Sequence, residues 1–254
     1  MTTKFLIQST EIKGKEVPAQ EFGYTAMQVV DYYDWLYPNE KMYDFEFVCS
    51  PSLFEQKPEW LQTDANGFPQ CIPIGSVEFV LSWFKSIGAE NVKPLNIPKE
   101  LWRFCDRHIT IDYCSQVNGH FMLKDTDTIK AACNGEAYFN GDGGADKKYF
   151  LSEWVDNVES EWRVFVFNGD IQDVRCYSGD PWKIPDKQYV QEVVDTYSQI
   201  RNTAYAFDVM VTDKKTEILE LHDFFSCGLY GFEDFRILPL MWRRSIDFIL
   251  REKK

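Results

Sequence analysis

Residues 205–231 read YAFDVMVTDKKTEILELHDFFSCGLYG. Two apolar runs, YAFDVMVT (205–212) and TEILEL (216–221), flank the polar turn Asp213-Lys214-Lys215, which is the pattern of a β-hairpin. Asp208 stands inside the first run and Glu220 inside the second, and His222 follows two residues later on the same strand face as Glu220. Adjacent antiparallel strands can bring the three groups together. A hard cation such as Mg²⁺ needs oxygen ligands at close range, usually carboxylates plus substrate phosphates. Carboxylates set among Ala206, Phe207, Val209, Met210, Ile218 and Leu219 are costly unless something positive offsets them. The competing reading has both carboxylates on solvated strand faces and His222 as a packed side chain.

Upstream, residues 161–167 (EWRVFVF) and 171–177 (IQDVRCY) form a second hairpin pattern around Asn168-Gly169. Arg163 lies inside the first of these strands and Arg175 on the opposing one. A cation in a strand interior needs a ligand or a partner charge to face. Further upstream, Lys124 ends the alternating run 119–124 (GHFMLK), Lys130 follows a polar turn, and Glu153-Trp154-Val155 ends the strand pattern 149–155 (YFLSEWV). Cations from several strands that meet in one cleft suit a polyphosphate, each giving charge-assisted hydrogen bonds. Ordinary solvated strand faces are the alternative. The stretch 140–144 (NGDGG) reads either as a mobile loop over phosphates or as a flexible turn, and it lacks the P-loop pattern.

The first 90 residues have a different character. Phe5-Leu6-Ile7 reads as a buried strand, and residues 25–36 as a helix with Thr25 as N-cap. Residues 45–48 read as another strand, and residues 77–87 as a helix that Gly88 ends. This alternation predicts a small α/β unit. Two prolines within residues 92–98 mark a boundary. Beyond it, residues 107–112 alternate as a strand, residues 188–200 read as an amphipathic helix, and residues 240–251 as a last helix.

Composition narrows the function classes. The net charge of −13 and the lack of a Lys/Arg block argue against direct nucleic-acid binding. The seven cysteines are odd in number and widely spaced, without a C-x-x-C, so reduced thiols are expected. Cys227 reads as a packed thiol, because no activating histidine or helix N-terminus can be assigned to it. No stretch reaches about 18 apolar residues, and no secretory signal opens the chain. The expectation is a soluble cytoplasmic protein without a membrane partner.

In this order, a strand ending in lysine, the E-W-V strand end, E-W-R-V-F-V and the Asp208…Glu220 pair resemble the ATP-grasp fold. The closing E-L-H-D…S-C-G-L-Y-G is similar to the viral and bacterial ATP-grasp clade named for an arginine-to-lysine change. The resemblance implies an α+β fold in which two α+β lobes clasp ATP. It assigns residues 95–254 to that domain and residues 1–94 to a preceding small α/β unit. Carried over by position, Arg107 and Lys124 contact the α- and β-phosphates, and Lys130 joins the nucleotide-binding set. Glu153 and the backbone of Trp154 and Val155 meet adenine and ribose. Arg163 and Arg175 face the γ-phosphate or an acyl phosphate, and Lys183 takes the clade's substituted lysine position. Asp208 and Glu220 hold Mg²⁺. The third metal position, usually Asn, is His222, a softer ligand that points to tolerance of Mn²⁺ or to loss of a second metal. The implied activity is a carboxylate–amine ligase acting on amino-acid, peptide or other carboxylate and amine substrates through an acyl phosphate. An ATP-grasp kinase and a nucleotide-binding module without turnover are the alternatives.

Overall fold

The computed structural model describes residues 2–129, 135–140 and 147–252. The chain forms two compact units, Met1–Val92 with Asp223–Lys254, and Lys93–His222. Among the described residues no helix is long and apolar enough to cross a membrane, and the described cysteines are free thiols.

In the first unit, β1 (Thr3–Ile12) and β2 (Lys15–Pro18) are antiparallel. β1 also pairs in parallel with β3 (Tyr43–Val48) and β4 (Cys71–Ile74). The helix α1 (Glu21–Leu36) joins β2 to β3, and the short α2 (Leu53–Gln56) follows β3. The helix α3 (Val77–Ser86) leaves β4 through Ser76, whose Oγ accepts the Phe79 N–H at 3.3 Å. Gly88 ends this segment at φ +84°, as its sequence position predicts. The helix expected from Thr25 begins four residues earlier, at Glu21, and Thr25 lies inside it. The N-cap is Gln20, which makes no side-chain cap bond. Packing sets this end instead. A Cβ on Gly23 would come within 2.9 Å of Ile7 Cγ2 and 2.8 Å of Pro18 Cβ, so only glycine lets the first turn settle on β1 and β2.

The described residues of the second unit form two four-stranded sheets. One has the order β5 (Ile109–Asp112), β8 (Tyr149–Glu153), β6 (Asn118–Asp125), β7 (Gly135–Asn140), with every pairing antiparallel. The other has the order β10 (Asp170–Gly179), β9 (Ser160–Phe167), β11 (Ala204–Val211), β12 (Thr216–Asp223). Asn168 and Gly169, at φ 51° and 87°, make the tight β9–β10 turn. The helix α4 (Lys187–Ser198) buries Val190, Val193, Val194 and Tyr197 in one core with Val164, Val166, Phe207 and Val209 of β9 and β11. Strand alternation then turns Arg163 and Asp208 to the opposite face. The last helix, α5 (Leu238–Glu252), belongs to the first unit and sets Trp242 edge-on against Phe5. The strands β2, β4 and β7 were not anticipated. Each is only four to six residues long and lacks a clean alternation.

Candidate functional site

Arg163 sits at the middle of the second sheet, opposite Arg175 of β10 on one side and Asp208 of β11 on the other. Both Arg163 and Asp208 are buried, Asp208 to 1% exposure. The guanidinium grips the carboxylate with two bonds, Nε to Oδ1 at 2.7 Å and Nη2 to Oδ2 at 2.8 Å. The interior cation therefore faces a partner charge. The bidentate fork is the strong form of such a pair. The Tyr177 hydroxyl donates to Asp208 Oδ2 at 3.2 Å, and His222 Nε2 lies 3.3 Å from the same oxygen.

His222 Nε2 also lies 3.0 Å from Glu220 Oε1, and the Lys124 ammonium contacts Glu220 Oε2 from β6 of the other sheet. Ligand atoms of Asp208, Glu220 and His222 all fall within 4.8 Å of one another. Two carboxylate oxygens and an imidazole nitrogen so close together form a donor set that can hold a divalent cation, with the imidazole suiting a softer ion than Mg²⁺.

Electrostatics bind the cluster. Burial alone would raise the Asp208 pKa, but hydrogen bonds from Arg163 and His222 outweigh it and hold the carboxyl below its usual value. Glu220 is likewise held low, against burial, by His222 and Lys124. Burial disfavours the His222 cation, but Glu220 and Asp208 prevail and raise its pKa. Burial and the Asp208 charge push the Tyr177 phenol up, so it stays a donor.

The other expected residues fall in different places. Arg107 is buried, with Nε donating to Ser152 Oγ at 2.7 Å, Nη1 to Glu217 at 3.2 Å and Nη2 to the Leu219 carbonyl at 3.3 Å. It thus joins β12 to the other sheet. Glu153 is exposed and accepts the His108 N–H at 3.0 Å. The Trp154 N–H donates to the His120 carbonyl at 2.8 Å, and Val155 beside it is half-buried. The Trp154 ring stacks on His120 at 4.7 Å, and His120 stacks on Tyr138 at 4.1 Å. Arg175 shares the face of Arg163 but binds its neighbour Asp173, with Nε donating to Oδ2 at 2.7 Å. Lys183 pairs with Glu159 at 3.0 Å. Lys130 and the glycines of 141–144 lie outside the described residues.

The structure thus brings Arg163, Asp208, Glu220, His222 and Lys124 together. Arg107, Arg175 and Lys183 are engaged with other partners. Tyr177 and Glu217 escaped the sequence reading. A signal for Tyr177 was its two-residue offset from Arg175, which places both on one strand face. A groove of about 680 Å³ lined by Phe104, Tyr189, Lys215 and Glu217 is also present, lined by none of the five clustered residues.

Two sheets with a carboxylate, imidazole and cation cluster between them are the frame of an ATP-grasp domain. Residues 114–240 match the family model for the ATP-grasp domain of the arginine-to-lysine clade, family 2, and the chain belongs to that family. No curated protein sequence matches the chain. Among solved structures, D-alanine–D-alanine ligase from Bacillus anthracis is similar in fold, with a TM-score of 0.51 and 10% identity over 99% of each chain. A RimK domain ATP-grasp protein from Sphaerobacter thermophilus gives a TM-score of 0.47 at 10% identity, over 98% of this chain and 100% of that one.

Proposed function

We propose that the chain is an ATP-dependent ligase that joins a carboxylate to an amine and releases ADP. The observation that carries this reading is the Asp208–Glu220–His222 cluster, braced by Arg163 and reached by Lys124, inside a member of an ATP-grasp family. Asp208, Glu220 and His222 would hold Mg²⁺ or Mn²⁺. The ion would neutralise charge on the transferring phosphoryl group. Lys124 would bind the phosphates, and Arg175 would stabilise the acyl phosphate that the amine then attacks. Glu153, Trp154 and Val155 would meet the base and ribose. In this reading residues 95–254 carry the ATP-grasp function and residues 1–94 the preceding α/β unit. The ligase neighbour of similar fold is consistent with amide formation.

A second reading, a nucleotide-binding module without turnover, is favoured by the engagement of both carboxylates with protein cations. Product analysis separates the two. The chain is incubated with Mg-ATP and a mixture of amino acids and short peptides, and the products are identified by mass spectrometry. ADP together with a new amide supports the ligase, whereas unchanged ATP across the mixture removes it.

Binding alone gives a first prediction. Saturation at 100 times Kd stabilises a native protein by about 2.7 kcal/mol. For a chain of this size that is a rise in Tm of about 5–10 °C. Mg-ATP should produce this shift, and Lys124→Ala should reduce it. Absence of any shift or calorimetric heat at millimolar Mg-ATP would overturn the nucleotide assignment.

A further inference from the structure

Among the described residues, two ion pairs tie β12 to the other sheet of its unit, and they differ in kind. Glu217 is bound by Arg107, with side chains only 3% and 4% exposed, and Arg107 is further tied to Ser152 and the Leu219 carbonyl. Three residues on, Glu220 is bound by Lys124, with side chains 29% and 22% exposed. Arginine's planar fork makes several directed bonds at once, whereas lysine's ammonium is a point charge on a flexible stem. The first pair is a fixed strut. The second is accessible to water and its lysine makes a single point contact with Oε2, so that contact can exchange while His222, 3.0 Å from Oε1, stays in place.

The same contrast separates the two carboxylates of the cluster. Asp208 is buried and both its oxygens are held by Arg163. Glu220 is the carboxylate whose protein cation can leave. Lys124 is also the cation that the proposed function gives to the phosphates.

We propose that Lys124 is an exchangeable counter-ion that couples metal to nucleotide: a divalent cation taking Glu220 displaces the Lys124 ammonium, which then passes to the phosphates. This rests on the ligase reading of the cluster. No proton moves and no bond is made or broken; one ion pair is replaced by two others. Each ligand prepares the site for the other, and the coupling is reciprocal. Free metal must compete with Lys124 for Glu220, and free nucleotide must compete with Glu220 for Lys124.

The test uses the full chain, with Mn²⁺ followed by electron paramagnetic resonance and ATP by calorimetry in EDTA. Lys124→Met should bind Mn²⁺ alone roughly tenfold more tightly than the unaltered protein, within the usual range of coupling. Glu220→Gln should bind ATP in EDTA roughly tenfold more tightly, because Lys124 is released. The double variant decides whether Lys124 transmits that gain. If it does, Glu220→Gln brings no gain in the Lys124→Met background. An equal gain in both backgrounds would reflect only the general field of the lost carboxylate and would overturn the proposal. So would an Mn²⁺ affinity unchanged by Lys124→Met. If the unaltered protein binds Mg-ATP and these effects are absent, the coupling alone fails. If it does not bind Mg-ATP, the ligase reading fails with it.

Discussion

Glu220→Gln is expected to lower ADP release by at least ~100-fold, because a catalytic metal contributes several kcal/mol and 1.4 kcal/mol is about tenfold in rate. The substitution keeps the shape of the side chain and removes the charge that would hold the cation. Its effect on stability should be small. Glu220 and Lys124 are partly exposed, and such pairs contribute about 0–1 kcal/mol. Activity and Tm should therefore separate. His222→Asn tests the same site from the other side. It replaces an imidazole by an oxygen ligand that suits Mg²⁺ better. Activity should move from Mn²⁺ towards Mg²⁺ while the fold survives. Measuring ADP release against the concentration of each metal decides. If Glu220→Gln retains ordinary turnover, the cluster is not the metal site. If His222→Asn loses stability without a change in metal preference, His222 is a packed histidine.

The hairpin of residues 205–221 was legible because alternation and a polar turn are local signals. The strands β11 and β12 fall within two residues of the expected limits. Arg163 was legible as an anomaly: an interior cation that had to face a ligand or a partner charge. Register decides between those, and it places Asp208 directly opposite. No local pattern carries a register between strands 45 residues apart. The same limit hid the Arg107–Glu217 strut, whose partners lie 110 residues apart, Arg107 just before β5 and Glu217 in β12. It hid the Tyr138–His120–Trp154 stack as well, which three separate segments assemble. Tyr177 needs one detail more. Tyr177 keeps the face of Arg175 by its two-residue offset, but the register of β10 against β9 shifts between Cys176 and Ser178, so no regular strand partner marks it. Such shifts leave little trace in residue types.

Those tertiary facts reverse one expectation about stability. An unpaired buried carboxylate is a cost, so sequence alone suggests that Asp208→Asn is tolerated or even stabilising. Because Arg163 grips Asp208 inside the sheet, removing either partner leaves the other buried without its main counter-charge. Arg163→Met or Asp208→Asn should then cost about 3–5 kcal/mol, the range for breaking a buried pair. Replacing both, as Arg163→Met with Asp208→Leu, should recover much of that loss, since an apolar pair of similar volume no longer demands desolvation of a charge. Denaturant unfolding of the single and double variants measures the coupling directly. The pH dependence supplies an independent sign. In the unaltered protein the Asp208 pKa lies below its unfolded value, so its stabilisation is present above the unfolded pKa, near 3.9, and is lost as pH falls through the folded value. In Arg163→Met, burial opposes the charge with only His222 and Tyr177 left to support it, and the folded pKa rises. The stability gap between the two proteins should therefore narrow as the solution is acidified, because a protonated Asp208 no longer needs the arginine. A gap that stays constant from neutral pH to pH 4, or single variants that each lose less than about 1 kcal/mol, the range of an exposed pair, would show that the buried fork does not hold this sheet together.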